Sequence, residues 1–157
     1  MTNSPQQEGG ILATISKAEM GRAAVCMVMT DLILAGYKPI ASEENFPFDI
    51  IAEFDGVLKK IQVKSTASKM MQRKGKTAFY NFFLKRDLQK YHNKHTDAFA
   101  MVMMDTKNIA YLSKRDFNGW CVALVDKNEE REGRRNSGAS RRRFWEDMTL
   151  KRLAETI

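Results

Sequence analysis

The chain has 157 residues, 26 Lys/Arg against 19 Asp/Glu, a net charge of +7 and an isoelectric point near 9.5. That length suits one domain able to bury a core without disulfide or metal staples, and the positive balance suits a polyanion such as DNA or RNA. No apolar stretch reaches the ~20 residues of a membrane span, and no secretory signal is visible. The two cysteines, Cys26 and Cys121, lie in apolar runs, so a reducing, cytoplasmic compartment is expected. Without a Gly-rich phosphate loop, no nucleotide cofactor is expected, and no Ser or Cys triad appears.

Residues 1–14, with Pro5, Gln6, Gln7, Gly9 and Gly10, read as a flexible arm. Ser16 to Ala35 has the spacing of a helix, with Val25, Met29, Leu32 and Ile33 on its apolar face and Gly36 as its stop. Ser16-Lys17-Ala18-Glu19 is a capping-box sequence flanked by the staple pair Ile15 and Met20. Tyr37 to Ala41 reads as a first strand, with Pro39 confined to an edge or bulge.

Two apolar runs, Phe48 to Phe54 and Val57 to Lys64, are joined by Asp55-Gly56. A two-residue Asp-Gly connection favours a type I′ turn, because both central positions need positive φ. Phe54 then faces Val57, which sets Glu53 against Leu58, Ile50 against Ile61 and Asp49 against Gln62, with Lys64 diagonal to Asp49. Opposed Cβ atoms lie about 4.5–5.5 Å apart and diagonal ones roughly 7–8 Å, so these three side chains can converge on one ion and one phosphate. One face carries Asp49, Ile51, Glu53, Leu58, Lys60, Gln62 and Lys64. The other carries Phe48, Ile50, Ala52, Phe54, Val57, Lys59, Ile61 and Val63, and is the expected core face. Glu53 is roughly 13 Å from Asp49 along the strand, too far to share its ion. Glu43 and Glu44 approach Asp49 and read better as loop charge than as ligands of a second metal.

Beyond the hairpin, Lys69 to Lys76 is a basic loop containing Lys69, Arg73, Lys74 and Lys76. Thr77 to Leu84 has the aromatic enrichment of a strand, and Lys85 to Asn93 reads as a short helix or turn. Ala98 to Met104 and Ile109 to Leu112 form a second expected hairpin, and Trp120 to Val125 another short strand. His92 and His95 near Asp97 lack the supporting pattern of a transition-metal site. The ten methionines read as core filler. Asp126 to Ser140 is too polar to order itself, and Arg141 to Ile157 is expected to be a helix that docks on the core, binds DNA or pairs with another subunit. Arg131, Arg134, Arg135, Arg141, Arg142 and Arg143 form the second basic segment.

Glu19 in an opening helix, then Pro47-Phe48-Asp49, then Gln62-Val63-Lys64 after a hairpin, resembles the PD-(D/E)xK nuclease superfamily. Within it, the helix-Gly-Tyr-strand opening, Gln-Val-Lys-Ser and the later Asp97-Ala-Phe-Ala strand with Tyr111-Leu112 look like the small branch of group I intron homing endonucleases and Holliday-junction-resolvase-like nucleases. The resemblance spans Ser16 to Ser113. It implies an α/β, restriction-endonuclease-like fold with an αβββαβ core, a central mixed sheet and flanking helices, expected over residues 15–125; the pattern of residues 126–157 separately reads as an appended basic linker and helix for DNA contact or oligomerisation. It implies Mg²⁺, with Mn²⁺ able to substitute, held by Asp49, Gln62, the Val63 carbonyl and Glu19, while Lys64 orients or activates the attacking water. Gln62 stands where most members have Glu or Asp, a variant of the intron-encoded and resolvase-like branch that lowers the negative charge of the site. Glu19 therefore has two readings, metal ligand and helix cap.

The expected activity is Mg²⁺-dependent cleavage of double-stranded DNA at a specific site by a homodimer or homotetramer, since one chain encodes one site. A junction resolvase is the nearest alternative, and a catalytically inactive DNA-binding protein on the same scaffold is the alternative from another class. Lys60, the Lys69–Lys76 loop and Arg134, Arg135, Arg141, Arg142 and Arg143 are the expected phosphate contacts.

Overall fold

A computed structural model describes residues 14–43, 46–70, 78–84, 95–117, 119–129 and 142–157. Helix α1 covers Lys17–Leu34. It begins at the Ser16 capping box and ends in a Schellman arrangement, in which Gly36 donates to the Ile33 carbonyl at 3.0 Å and Tyr37 to the Leu32 carbonyl at 3.0 Å. Gly36 closes the motif at φ +90, a conformation that strains other residues. Its buried stripe is Ala24, Val28 and Leu32, rotated from the expected face. Val25 and Met29 are only half-buried and Ile33 is 57% exposed. Apolar residues surround this helix, so periodicity alone leaves its orientation open; small Ala24 lets the backbone approach the sheet closely.

Strands β1 (Ile40–Ala41), β2 (Ile50–Phe54), β3 (Val57–Thr66), β5 (Ala98–Met103) and β6 (Asn108–Ser113) form a five-stranded sheet in the order β1-β2-β3-β5-β6. β3 and β5 run parallel and the other pairs antiparallel, which gives the expected mixed sheet. The β2–β3 turn has φ 50 at Asp55 and 80 at Gly56, as a type I′ turn requires, and its register pairs Phe54 with Val57 and Ile50 with Ile61.

A second sheet of three strands, β4 (Tyr80–Phe83), β7 (Cys121–Val125) and β8 (Arg142–Phe144), has the order β4-β7-β8. Residues Arg142–Phe144 pair in parallel with Ala123–Val125, so the helix expected from Arg141 is instead a strand and a short turn before α2 (Leu150–Thr156). Ladder pairing with a strand some twenty positions away overrides the local helical pattern. The short helix expected over Lys85–Asn93 lies outside the described residues.

The five-stranded sheet is covered on both faces. Ala98, Ala100 and Val102 of β5 pack with α1 and with Leu153 of α2. Phe99, Met101 and Met103 alternate to the other face, against Tyr80, Phe82, Leu84, Val122 and Leu124 of the small sheet. β5 is therefore buried along its whole length, as expected of a strand paired on both edges and covered on both faces. Tyr111 ties helix to sheet through its hydroxyl, which donates to Asp31 Oδ2 at 2.6 Å. Among the described residues no helix is long and apolar enough to cross a membrane.

Candidate metal and phosphodiester site

The β2–β3 ladder stops at Ile50–Ile61, one pair short of the expected Asp49–Gln62 opposition. The Asp49 N–H donates to the Ile61 carbonyl at 3.0 Å, and its carboxylate Oδ2 accepts the Val63 N–H at 2.7 Å. The side chain thus takes the place of a ladder acceptor. Alternation breaks with it: Phe48, expected beside Ile50, is buried outside the cluster beneath α1 and lies instead under Lys60, whose Nζ is 5.5 Å from its ring centroid.

This irregular segment is held from several sides. The Ser42 N–H donates to the Asp49 carbonyl at 2.9 Å, and the Ser42 hydroxyl donates to the Phe48 carbonyl. Thr96, only 2% exposed, donates its hydroxyl to the Pro47 carbonyl at 3.3 Å. Asp97 brackets the other edge of β3, donating its N–H to the Lys60 carbonyl and accepting the Lys60 N–H on Oδ2, both at 2.8 Å. Sequence reasoning missed Ser42 and Thr96, because a single hydroxyl leaves no periodic signal and the Thr96 contact spans 49 positions.

Asp49 is anchored on the N–H of Val63, the residue between Gln62 and Lys64. The latter two share the face of β3 opposite α1, in register with Phe99 and Met101. Gln62 is 8% exposed, and its Oε1 is buried without a hydrogen-bond partner. A buried amide oxygen left unpaired costs about 1–3 kcal/mol, a cost that a donor or cation placed beside it would relieve. The N–H and C=O of a strand residue point to the same side, so the Val63 carbonyl also faces the Asp49 side. One carboxylate, one amide oxygen and one carbonyl are hard donors suited to a divalent cation that keeps several waters.

Glu19 lies elsewhere in the bonding pattern. Its carboxylate Oε2 accepts the Ser16 N–H at 2.8 Å and the Ser16 hydroxyl at 2.7 Å, while the Glu19 N–H donates to Ser16 Oγ at 3.2 Å. These bonds hold its pKa below the usual carboxylate value, and the structure shows the helix-cap reading. Among the described residues no group of three or more His, Cys, Asp or Glu side chains is placed to hold a metal. His95 is exposed, and His92 lies outside the described residues.

Of the expected phosphate contacts, Lys69 forms an ion pair with Asp126 and stacks 5.5 Å from the Tyr80 ring centroid. Burial alone would raise the Asp126 pKa, but bonds from Lys69 and the Trp145 indole hold it low. Arg143 donates to the Asp116 carbonyl at 2.9 Å and lies 5.3 Å from the Phe117 ring centroid. Arg73, Lys74, Lys76, Arg134, Arg135 and Arg141 lie outside the described residues, and Arg142 is described only as part of β8.

Three comparisons bear on this site. No curated protein matches the sequence. A solved structure titled as that of a bacterial homing endonuclease, I-Ssp6803I, superposes with a TM-score of 0.58 at 17% identity, covering 89% of this chain and 96% of that one. At that identity the likeness establishes the fold. The PD-(D/E)XK endonuclease family model matches residues 15–147, spanning α1, Asp49, Gln62-Val63-Lys64 and the small sheet, and the chain is a member of that family.

Proposed function

We propose that the protein is a Mg²⁺-dependent homing-type endonuclease that cuts both strands of a DNA duplex as a homodimer or homotetramer, with Mn²⁺ able to substitute. The observation that carries this reading is the unpaired, buried Gln62 Oε1 beside a Val63 N–H that fixes the Asp49 carboxylate. Asp49, Gln62 and the Val63 carbonyl would hold the ion, which supplies Lewis acidity toward phosphate and water. Glu19 joins the set only by giving up its bonds to Ser16.

The protein's own part is positional and electrostatic. Ser42, Thr96 and the Ile61 carbonyl fix the backbone on either side of Asp49, so its carboxylate needs little reorganisation when DNA arrives. Lys64, one residue beyond the anchored N–H, brings a compact ammonium to the negative charge that builds on the phosphoryl oxygens, or orients the attacking water. Free Cys26 and Cys121 suit a reducing cytoplasm.

The test is selection of cleaved sequences from a random duplex pool with Mg²⁺, repeated on four-way junctions. Recovery of one long site supports homing-type cleavage, and preferential cutting of junctions moves the reading to a resolvase. Asp49→Asn and Lys64→Met should each abolish cutting while retaining most DNA affinity. Binding without cleavage by the wild type in Mg²⁺ and Mn²⁺ would leave only a DNA-binding scaffold.

A further inference from the structure

On the β3 face that carries Gln62 and Lys64, a cation and two aromatic rings stack in succession beside the site. Alternation puts Lys60 on that face, opposite Ile61 and Val63, which pack in the cluster beneath α1. The Lys60 Nζ lies 5.5 Å from the Phe48 ring centroid, and the Phe46 ring centroid lies 5.4 Å from that of Phe48 at an interplanar angle of 42°. Phe48 is 7% exposed, whereas Phe46 is 56% exposed. Among the described residues no ion pair engages Lys60. The backbone that carries the rings is pinned: the Pro47 carbonyl accepts the Thr96 hydroxyl at 3.3 Å, and the Phe48 carbonyl accepts the Ser42 hydroxyl.

We infer that Phe46 is an apolar wedge that enters a base step of the DNA duplex beside the scissile phosphate and opens the stack there; the inference rests on the endonuclease reading. A single phenylalanine on a protein surface is ordinary. This one is backed by a buried ring, rides on a pinned backbone and stands three residues before Asp49. Phe48 keeps the Phe46 ring from folding inward, and Lys60 sets a positive charge beside it for the phosphate that flanks the opened step. Lys60 is two strand residues from Gln62, about 7 Å, which is the rise of about two base steps. A duplex whose phosphate sits at Asp49 and Gln62 therefore carries neighbouring steps within reach of this platform, on the same face of the sheet. Apolar side chains inserted between base pairs kink the duplex. Gln62 is only 8% exposed, so a duplex kinked at Phe46 delivers its phosphate to this recessed site more readily than a straight one.

A mismatched step is already part-unstacked and costs less to open, which gives the test. Binding of the full chain to a labelled 30-base-pair duplex with one central T·T mismatch, and to its fully paired counterpart, is measured by fluorescence anisotropy in EDTA across a salt series. The wild type should prefer the mismatched duplex. Phe46→Ala should weaken binding to it by about 5- to 150-fold, the loss expected of one base–aromatic contact, and should erase the preference while leaving the slope of log K against log salt unchanged. Phe46→Trp should keep the preference. Lys60→Gln should lower the slope by about 0.9, the loss of one phosphate contact. Equal binding of both duplexes by the wild type, a preference that survives Phe46→Ala, or an unchanged slope in Lys60→Gln overturns the assignment. Cleavage by the wild type in Mg²⁺ is scored separately. Cutting without a Phe46-dependent preference removes the wedge and keeps the endonuclease, whereas that preference without cutting keeps the wedge on a DNA-binding scaffold.

Discussion

Replacing Gln62 with Met separates the cost of the site from its use. The side chain is nearly isosteric and sits 8% exposed in register with Phe99, so an apolar thioether fits the surroundings. The substitution removes a buried oxygen that has no partner, relieving a penalty of about 1–3 kcal/mol. In a chain of this length each kcal/mol moves the midpoint by about 2–4 °C, so the variant should melt about 2–12 °C higher than wild type in EDTA. Divalent ions should reverse the comparison. At about a hundredfold excess over Kd an ion adds about 2.7 kcal/mol to the wild type, and this gain should shrink or vanish in the variant along with DNA cleavage. Thermal unfolding by circular dichroism, with and without Mg²⁺, reads both effects. A variant that melts at or below the wild-type temperature in EDTA and keeps the full Mg²⁺ shift would refute the ligand role of Gln62.

Two further outcomes follow from bonds already described. Glu19→Gln should lower the melting temperature modestly and leave cleavage within a few-fold of wild type, because the carboxylate caps α1; a loss comparable to that of Asp49→Asn would show that it leaves the cap for the metal. Its folded pKa is depressed, so its stabilisation is present above the ordinary carboxylate range. The difference between wild type and variant should fade as pH falls through the lowered pKa, as measured by melting across an acid series. Tyr111→Phe removes the 2.6 Å bond to Asp31 between β6 and α1 and should cost about 1.5–3 kcal/mol in urea unfolding while sparing the cleavage rate of the folded enzyme. Burial pushes the Tyr111 hydroxyl pKa above its ordinary value, with the Asp31 bond adding to it, so this bond keeps its proton throughout the range in which the fold is stable.

The hairpin was legible because its information is local: Asp55-Gly56 fixes the turn and alternation fixes which of Ile50, Ala52 and Ile61 go inside. The break at Asp49 was not, since it depends on a side chain outcompeting a ladder partner for the Val63 N–H. Phe48 moved with it. The capping box around Glu19 was written in four consecutive residues and stands as read. By contrast, β8 depends on a partner strand that local pattern cannot name, and the Phe144 and Trp145 spacing looked helical for that reason.

Because β7 and β8 run parallel, with Ala123 paired to Arg142, the basic stretch between them leaves and returns to one small sheet. Parallel neighbours need a connection of about a dozen residues or more in any case, and doubling such a loop adds only about 0.6 kcal/mol of closure cost. The stretch is therefore a handle tied at both ends rather than a tail.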